Sequence, residues 1–159
     1  MNKYLIQAGD NILIASDHAG FELKDIYIKE LSAQGYKIID IGPNSEDPVD
    51  YPDYANKLAG YISTGAGTAG VLICGTGIGI SIAANRWTTV RAALVHSVET
   101  AASARKHNNA NVMVVGARIL TQEVALACLH SFLSTKFDGG RHIARVEKLC
   151  KPPTYQMNE

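Results

Sequence analysis

Short apolar runs alternate with amphipathic helical stretches along nearly the whole chain, and that alternation most constrains the fold. Asn11–Ser16 (NILIAS), Tyr36–Ile41 (YKIIDI), Val71–Cys74, Val90–Val95 and Asn111–Gly116 (NVMVVG) read as strands. Helices are predicted over Gly20–Gln34, Tyr54–Ser63, the stretch after Gly79, Val98–His107 and Thr121–Leu133. Gly42–Asp53 reads as a Pro-, Asp- and Asn-containing loop, and Gly65–Gly70 as a turn. Uniformly apolar strands separated by helices are covered on both faces, which implies a parallel sheet. The expected fold is a Rossmann-like three-layer α/β/α domain with a five-stranded parallel sheet and right-handed crossovers. A basic segment, Gly139–Lys151, adds a C-terminal helix stopped by Pro152-Pro153.

At 159 residues and 47% hydrophobic content, residues 1–159 suit one domain, with 1–10 and 152–159 peripheral. The tail from Pro152 to Glu159 is expected to be mobile. Lys+Arg and Asp+Glu are both 15, so the net charge of zero argues against a nucleic-acid or anionic-membrane binder. No run of about 18 apolar residues occurs, so no membrane span is expected. Met1–Asp10 lacks the pattern of a signal peptide. Cys74, Cys128 and Cys150 form no CxxC pair, which excludes a thioredoxin-type motif and fits a reducing cytoplasm.

Open α/β sheets bind ligands beyond the carboxyl ends of their strands. Asp17-His18-Ala19-Gly20 follows the first predicted strand, and Asp50-Tyr51-Pro52 lies beyond the second. The third ends in Cys74-Gly75-Thr76-Gly77-Ile78-Gly79, and the fifth in Gly116-Ala117-Arg118. One edge thus gathers a carboxylate, an imidazole, a thiol, a hydroxyl, a glycine loop and a guanidinium. Glycines at alternate positions let backbone N–H groups face a ligand closely. With the helix end behind them they suit an anion, and the same field favours a thiolate. The loop is neither GxGxxG nor a P-loop, so a small anion fits better than a nucleotide. The five histidines show no HxH or HxxxH spacing, so no metal site is expected. The plainer reading of Cys74 is a buried structural thiol, and that of the glycines a tight turn.

Five blocks carry a family resemblance: SDHAGFELK at 16–24, DYPDYA at 50–55, CGTGIGISIAANR at 74–86, RKHNNANVMVVGARIL at 105–120 and FDGGRHIARVEKL at 137–149. In that order they resemble the ribose-5-phosphate isomerase B family. The related galactose-6-phosphate isomerase subunits share much of the pattern. The resemblance implies interconversion of ribose 5-phosphate and ribulose 5-phosphate through an enediolate, in the pentose phosphate pathway, with no cofactor. It makes Cys74 the base that moves the proton between C2 and C1. Thr76 assists at the substrate oxygens, and the N–H groups of Gly75, Gly77 and Gly79 form an oxyanion hole. Such an interaction is typically worth roughly 3–4 kcal/mol of barrier. Some relatives carry a glutamate base a few residues later; Ile78–Ala83 holds no carboxylate here, which supports the cysteine.

By the same resemblance His107 opens the sugar ring and Asn108 holds the open chain. Asp17 binds substrate hydroxyls, His18 lies near phosphate or ring, and Tyr51 contacts substrate. Arg118, Arg141 and Arg145 bind phosphate; the last two are four apart and share a helix face. Each has a plainer reading: a helix C-terminus for His107 and Asn108, an N-cap for Asp17, packing for Tyr51, a solvated basic face for the arginines. Topology raises one difficulty. His107 ends the helix after the fourth strand, and that helix runs back to the edge opposite Cys74. Joint action on one sugar then requires two subunits, so a homodimer with shared sites is expected, paired into a tetramer in some relatives. The rival functions are isomerisation of an allose- or galactose-type 6-phosphate, a non-catalytic phosphosugar-binding module, and a thiol redox enzyme weakened by the absence of a nearby resolving cysteine.

Overall fold

The computed structural model describes residues 5–151. The expectations for a Pro152-Pro153 stop and a mobile C-terminal tail lie outside the described residues. Five strands form one parallel sheet: β1 (Asn11–Ser16), β2 (Lys37–Gly42), β3 (Ala69–Cys74), β4 (Ala92–Leu94) and β5 (Val112–Gly116). Their order is β2-β1-β3-β5-β4, so β1 has its sequence neighbour on one side and β3 on the other. That reversal of winding places the ends of β1 and β3 side by side, with Ser16 opposite Ile73.

Alternation along each strand divides the core into two layers. Ile12, Ile14, Val71, Ile73, Met113 and Val115 pack with α1 (Phe21–Ala33), α4 (Val98–Asn108) and α5 (Gln122–Ser134). Leu13, Ala15, Leu72, Cys74, Val112 and Val114 pack with α2 (Tyr51–Ser63) and α3 (Ile78–Ala84). α6 (His142–Leu149) lies against α4. The Rossmann-like three-layer arrangement is the one expected. No helix among the described residues is long and apolar enough to cross a membrane.

Among the boundaries that differ from the sequence expectation, three have a clear local reason. β3 begins at Ala69, inside the expected turn. Gly70 pairs with Leu13 and Val112, and a Cβ there would stand 2.8 Å from Leu58 of α2, so the glycine permits close helix approach. α2 begins at Tyr51 rather than Tyr54, because Pro52 occupies the first turn, where its missing N–H costs nothing. β4 is shorter than Val90–Val95: it pairs only with β5, and Val90 turns back to Trp87.

Candidate active site

Cys74 is the last residue of β3 and is 4% exposed. The chain turns at once through Gly75–Gly77 into α3. Gly77 adopts φ +78°, a left-handed conformation that favours glycine. A Cβ at this position would also strike Leu94 and come within 3.0 Å of the Val115 carbonyl carbon. The turn aims the Gly77 N–H at the thiol, with N to Sγ at 3.0 Å. A donor so placed complements negative charge on sulfur. The exposed Thr76 hydroxyl sits on the outside of the turn and accepts a 3.4 Å bond from Ile78 N–H. β5 braces the loop: Ala117 N–H donates to Cys74 O at 2.9 Å and Arg118 N–H to Gly75 O at 3.0 Å.

The neighbouring strand ends converge on this turn. A Cβ on Gly79 would lie 2.5–2.8 Å from the Tyr51 ring and hydroxyl, and one on Gly75 would lie 3.4 Å from an Arg118 guanidinium nitrogen. Tyr51 and Arg118 therefore rest directly on the glycine loop. The absence of a side chain at Gly79 is what lets Tyr51 approach, whereas Arg118 would meet a Cβ on Gly75 at ordinary contact distance. Asp17 follows β1; its N–H donates to Ile73 O at 3.0 Å, and its carboxylate Oδ1 accepts from Gly20 N–H at 3.1 Å. The capping role expected of Asp17 is thus present, at a residue only 7% exposed. His18 accepts the Val49 N–H at Nδ1, 3.3 Å away, which puts the proton of the neutral ring on Nε2.

The loop between β2 and α2, which carries Val49 and leads into Tyr51, has its own anchor. Lys24, buried in α1, donates to both oxygens of Asp40 at 2.7 and 2.8 Å and to Pro43 O at 2.9 Å. Nothing in the sequence pattern singled out Lys24 beyond its place within the SDHAGFELK block, which was the available signal.

His107, Asn108, Arg141 and Arg145 stand elsewhere. α4 starts after the carboxyl end of β4 and stops just before β5 begins. At 1.5 Å per residue its far end lies about 16 Å from its start. Cys74 pairs with Gly116 at the opposite end of β5. All four of these side chains are exposed. Asn109 closes α4 in the left-handed conformation, φ +44°. His107 stacks on His142, with ring centroids 4.7 Å apart and an interplanar angle of 21°. Asp138 N–H donates to Lys106 O at 3.0 Å, which ties the approach to α6 to the end of α4. Arg141 and Arg145 thus share one region with His107. The positional link between His107, Asp138 and His142 was invisible in the sequence, because more than 30 positions separate the first from the others.

The chain therefore offers two clusters: a thiol, hydroxyl, carboxylate, imidazole and guanidinium around a glycine turn, and an imidazole, amide and two guanidinium groups at the opposite sheet edge. Comparison with known proteins gives these clusters a context. A family model described as Ribose/Galactose Isomerase matches residues 12–149. The chain is 39% identical to ribose-5-phosphate isomerase B of Escherichia coli over 138 residues, covering 87% of this chain and 93% of that one. It superposes on the ribose 5-phosphate isomerase of Thermotoga maritima with a TM-score of 0.86 and 48% identity, over 88% of this chain and 97% of that one. A third match is the Mycoplasma genitalium ribose-5-phosphate isomerase B with bound ribulose-5-phosphate, at a TM-score of 0.85 and 41% identity, covering 91% and 96%. Matched along almost all of its described length, with its buried thiol on a glycine turn between β3 and α3, this chain belongs to the ribose/galactose isomerase family.

Proposed function

We propose that the chain interconverts D-ribose 5-phosphate and D-ribulose 5-phosphate. The observation that carries this reading is the buried Cys74 Sγ receiving the Gly77 N–H at the convergence of strand ends. A relative of the same fold and similar length holds ribulose-5-phosphate. Cys74, as thiolate, takes the proton from C2 of the open-chain aldose. The electron pair moves into the C1–C2 bond and onto O1, giving an enediolate. Backbone N–H groups of Gly75 and Gly79 face the developing charge, while that of Gly77, expected to join them, is engaged on the sulfur. The Thr76 hydroxyl moves a proton from O2 to O1, and the Cys74 thiol returns its proton to C1, which leaves the C2 ketone. Asp17 and Tyr51 hold the sugar hydroxyls.

Ring opening precedes this chemistry. His107 moves the proton of the C1 hydroxyl to the ring oxygen as the bond between C1 and that oxygen breaks and the C1 carbonyl forms, and Asn108 steadies the linear sugar. Arg118, Arg141, Arg145 and the Nε2–H of His18 receive the phosphate. Because His107 lies about 16 Å down α4 from the edge that holds Cys74, the two act on one sugar only across a homodimer. Exposed Ile78, Ile82, Leu94, Val98 and Ile119, all within the segments following β3, β4 and β5 or at the end of β4, support this reading. They are exposed apolar side chains that a second copy would cover. The free cysteines fit a reducing, cytoplasmic setting.

A substrate panel tests the assignment. Turnover of ribose 5-phosphate above that of allose 6-phosphate and galactose 6-phosphate supports it. A preference for either hexose phosphate overturns the pentose assignment, and binding without turnover overturns the enzyme.

A further inference from the structure

His107 ends α4, while Asp138 and His142 flank the turn into α6. One ligand atom from each, two imidazole nitrogens and a carboxylate oxygen, lies within 4.8 Å of the other two. Two histidines and a carboxylate with an open fourth position form a donor set typical of accessible zinc sites. Zn–N and Zn–O bonds of about 2.0–2.2 Å bring tetrahedral ligand atoms to roughly 3.4 Å apart. Rotation of side chains closes that gap, since His107 and Asp138 are exposed and His142 is half-buried. Asp138 is held in range by its backbone bond to Lys106.

The charges nearby set the strength of such a site. Asp138 brings a carboxylate to the two imidazole nitrogens, while Arg141 and Arg145 lie on the same segment as His142. The two arginines oppose a dication, which places the site among reversible, inhibitory ones rather than structural ones. We propose that His107, Asp138 and His142 form a binding site for zinc, and that zinc bound there inhibits the enzyme. The inhibitory half rests on the reading of His107 as the ring-opening residue: a coordinated imidazole has no lone pair with which to move a proton.

The test is calorimetric titration of the metal-free full chain with zinc chloride, with magnesium as the control, on wild type, H142Q, D138N and C74S. One zinc per chain is expected, with affinity weakened about tenfold or more in H142Q and D138N and unchanged in C74S. Thermal melts confirm that the variants are folded. The cobalt(II) spectrum of the wild type needs no variant and should lack a thiolate charge-transfer band. In parallel, zinc should slow turnover of ribose 5-phosphate, EDTA should restore it, and H142Q, compared with its own zinc-free rate, should need about tenfold more zinc. Binding that survives in H142Q and D138N but is lost in C74S overturns the site in favour of the thiol. Binding at these residues with full turnover at saturating zinc overturns the inhibitory half. Failure of the isomerase reading itself shows separately, as absent turnover in the metal-free wild type.

Discussion

At the carboxyl edge of the sheet, the reactive groups are held by backbone and buried side chains. Cys74 is packed among Ala15, Leu72 and Val114, its sulfur takes a main-chain N–H, and the next strand clamps the turn that supplies it. At the opposite edge, His107, Asn108, Arg141 and Arg145 are exposed side chains at helix ends, with a ring stack as their most defined contact. The first edge is organised before any ligand arrives. The second offers charge and donors that take a fixed geometry only against something else. On the proposed function this division is apt: proton abstraction demands close tolerance, whereas phosphate capture and ring opening tolerate assembly on docking.

The comparison can be broken most directly at the thiol. Cys74→Ala should lower kcat by about 10³-fold, within the range for losing a general base, while ribose 5-phosphate still binds by calorimetry. Near-wild-type kcat would remove the cysteine from the chemistry. Next in size is the link between the edges. Mixing equal amounts of unfolded Cys74→Ala and His107→Ala chains and refolding them together should restore about a quarter of wild-type activity. Half of the dimers are mixed, and each carries one intact site. Recovery no greater than the sum of the single variants would mean that one chain holds a whole site.

Stability should then separate the two edges. Lys24→Met leaves Asp40 and the Pro43 carbonyl without their buried partner. It should cost about 1–2 kcal/mol in urea unfolding, because Asp40 is 35% exposed and keeps its bond from Gly42 N–H. It should also raise KM, because the anchored loop leads to Val49 and Tyr51. Arg145→Gln at the exposed edge should leave the melting temperature unchanged and raise KM about tenfold, equivalent to ~1.4 kcal/mol of binding. A loss of stability in Arg145→Gln, or its absence in Lys24→Met, would erase the proposed contrast.

The smallest effect concerns pH. Folding lowers the His142 value below its model-peptide value of 6.5, through partial burial and then neighbouring positive charge. Protonation therefore favours the unfolded chain. Stability should fall slightly as pH drops through 6.5 and level off below the lower folded value. Denaturation curves at pH 7.5 and 5.5 should show a smaller drop in His142→Gln than in wild type.

Much of this was legible from residue order, and the exceptions are instructive. The period of apolar runs located all five strands, most sharply the central β1, β3 and β5, because a strand covered on both faces leaves little freedom in its composition. Cys74 and its glycines were legible for a related reason: a turn that brings main-chain N–H groups to sulfur tolerates few side chains. Gly70 misled because a glycine that admits a helix resembles one that makes a turn. Pro52 misled because a first helical turn and a loop accept it equally. The juxtaposition of His107 with Asp138 and His142 depends on where α6 settles, and no local spacing encodes that. Asp17 carries its capping bond alongside the substrate role proposed for it, so the plainer reading of a residue does not exclude the chemical one.

The bond between Val49 and His18 ties an imidazole on one strand end to the backbone of the next loop. With Nδ1 of His18 engaged by the Val49 amide, the neutral ring presents its N–H at Nε2. The direction of that donor is therefore set by main chain from a separate part of the sequence. A substitution that shifts Val49 would turn the donor, and so change what His18 can meet without touching His18 itself.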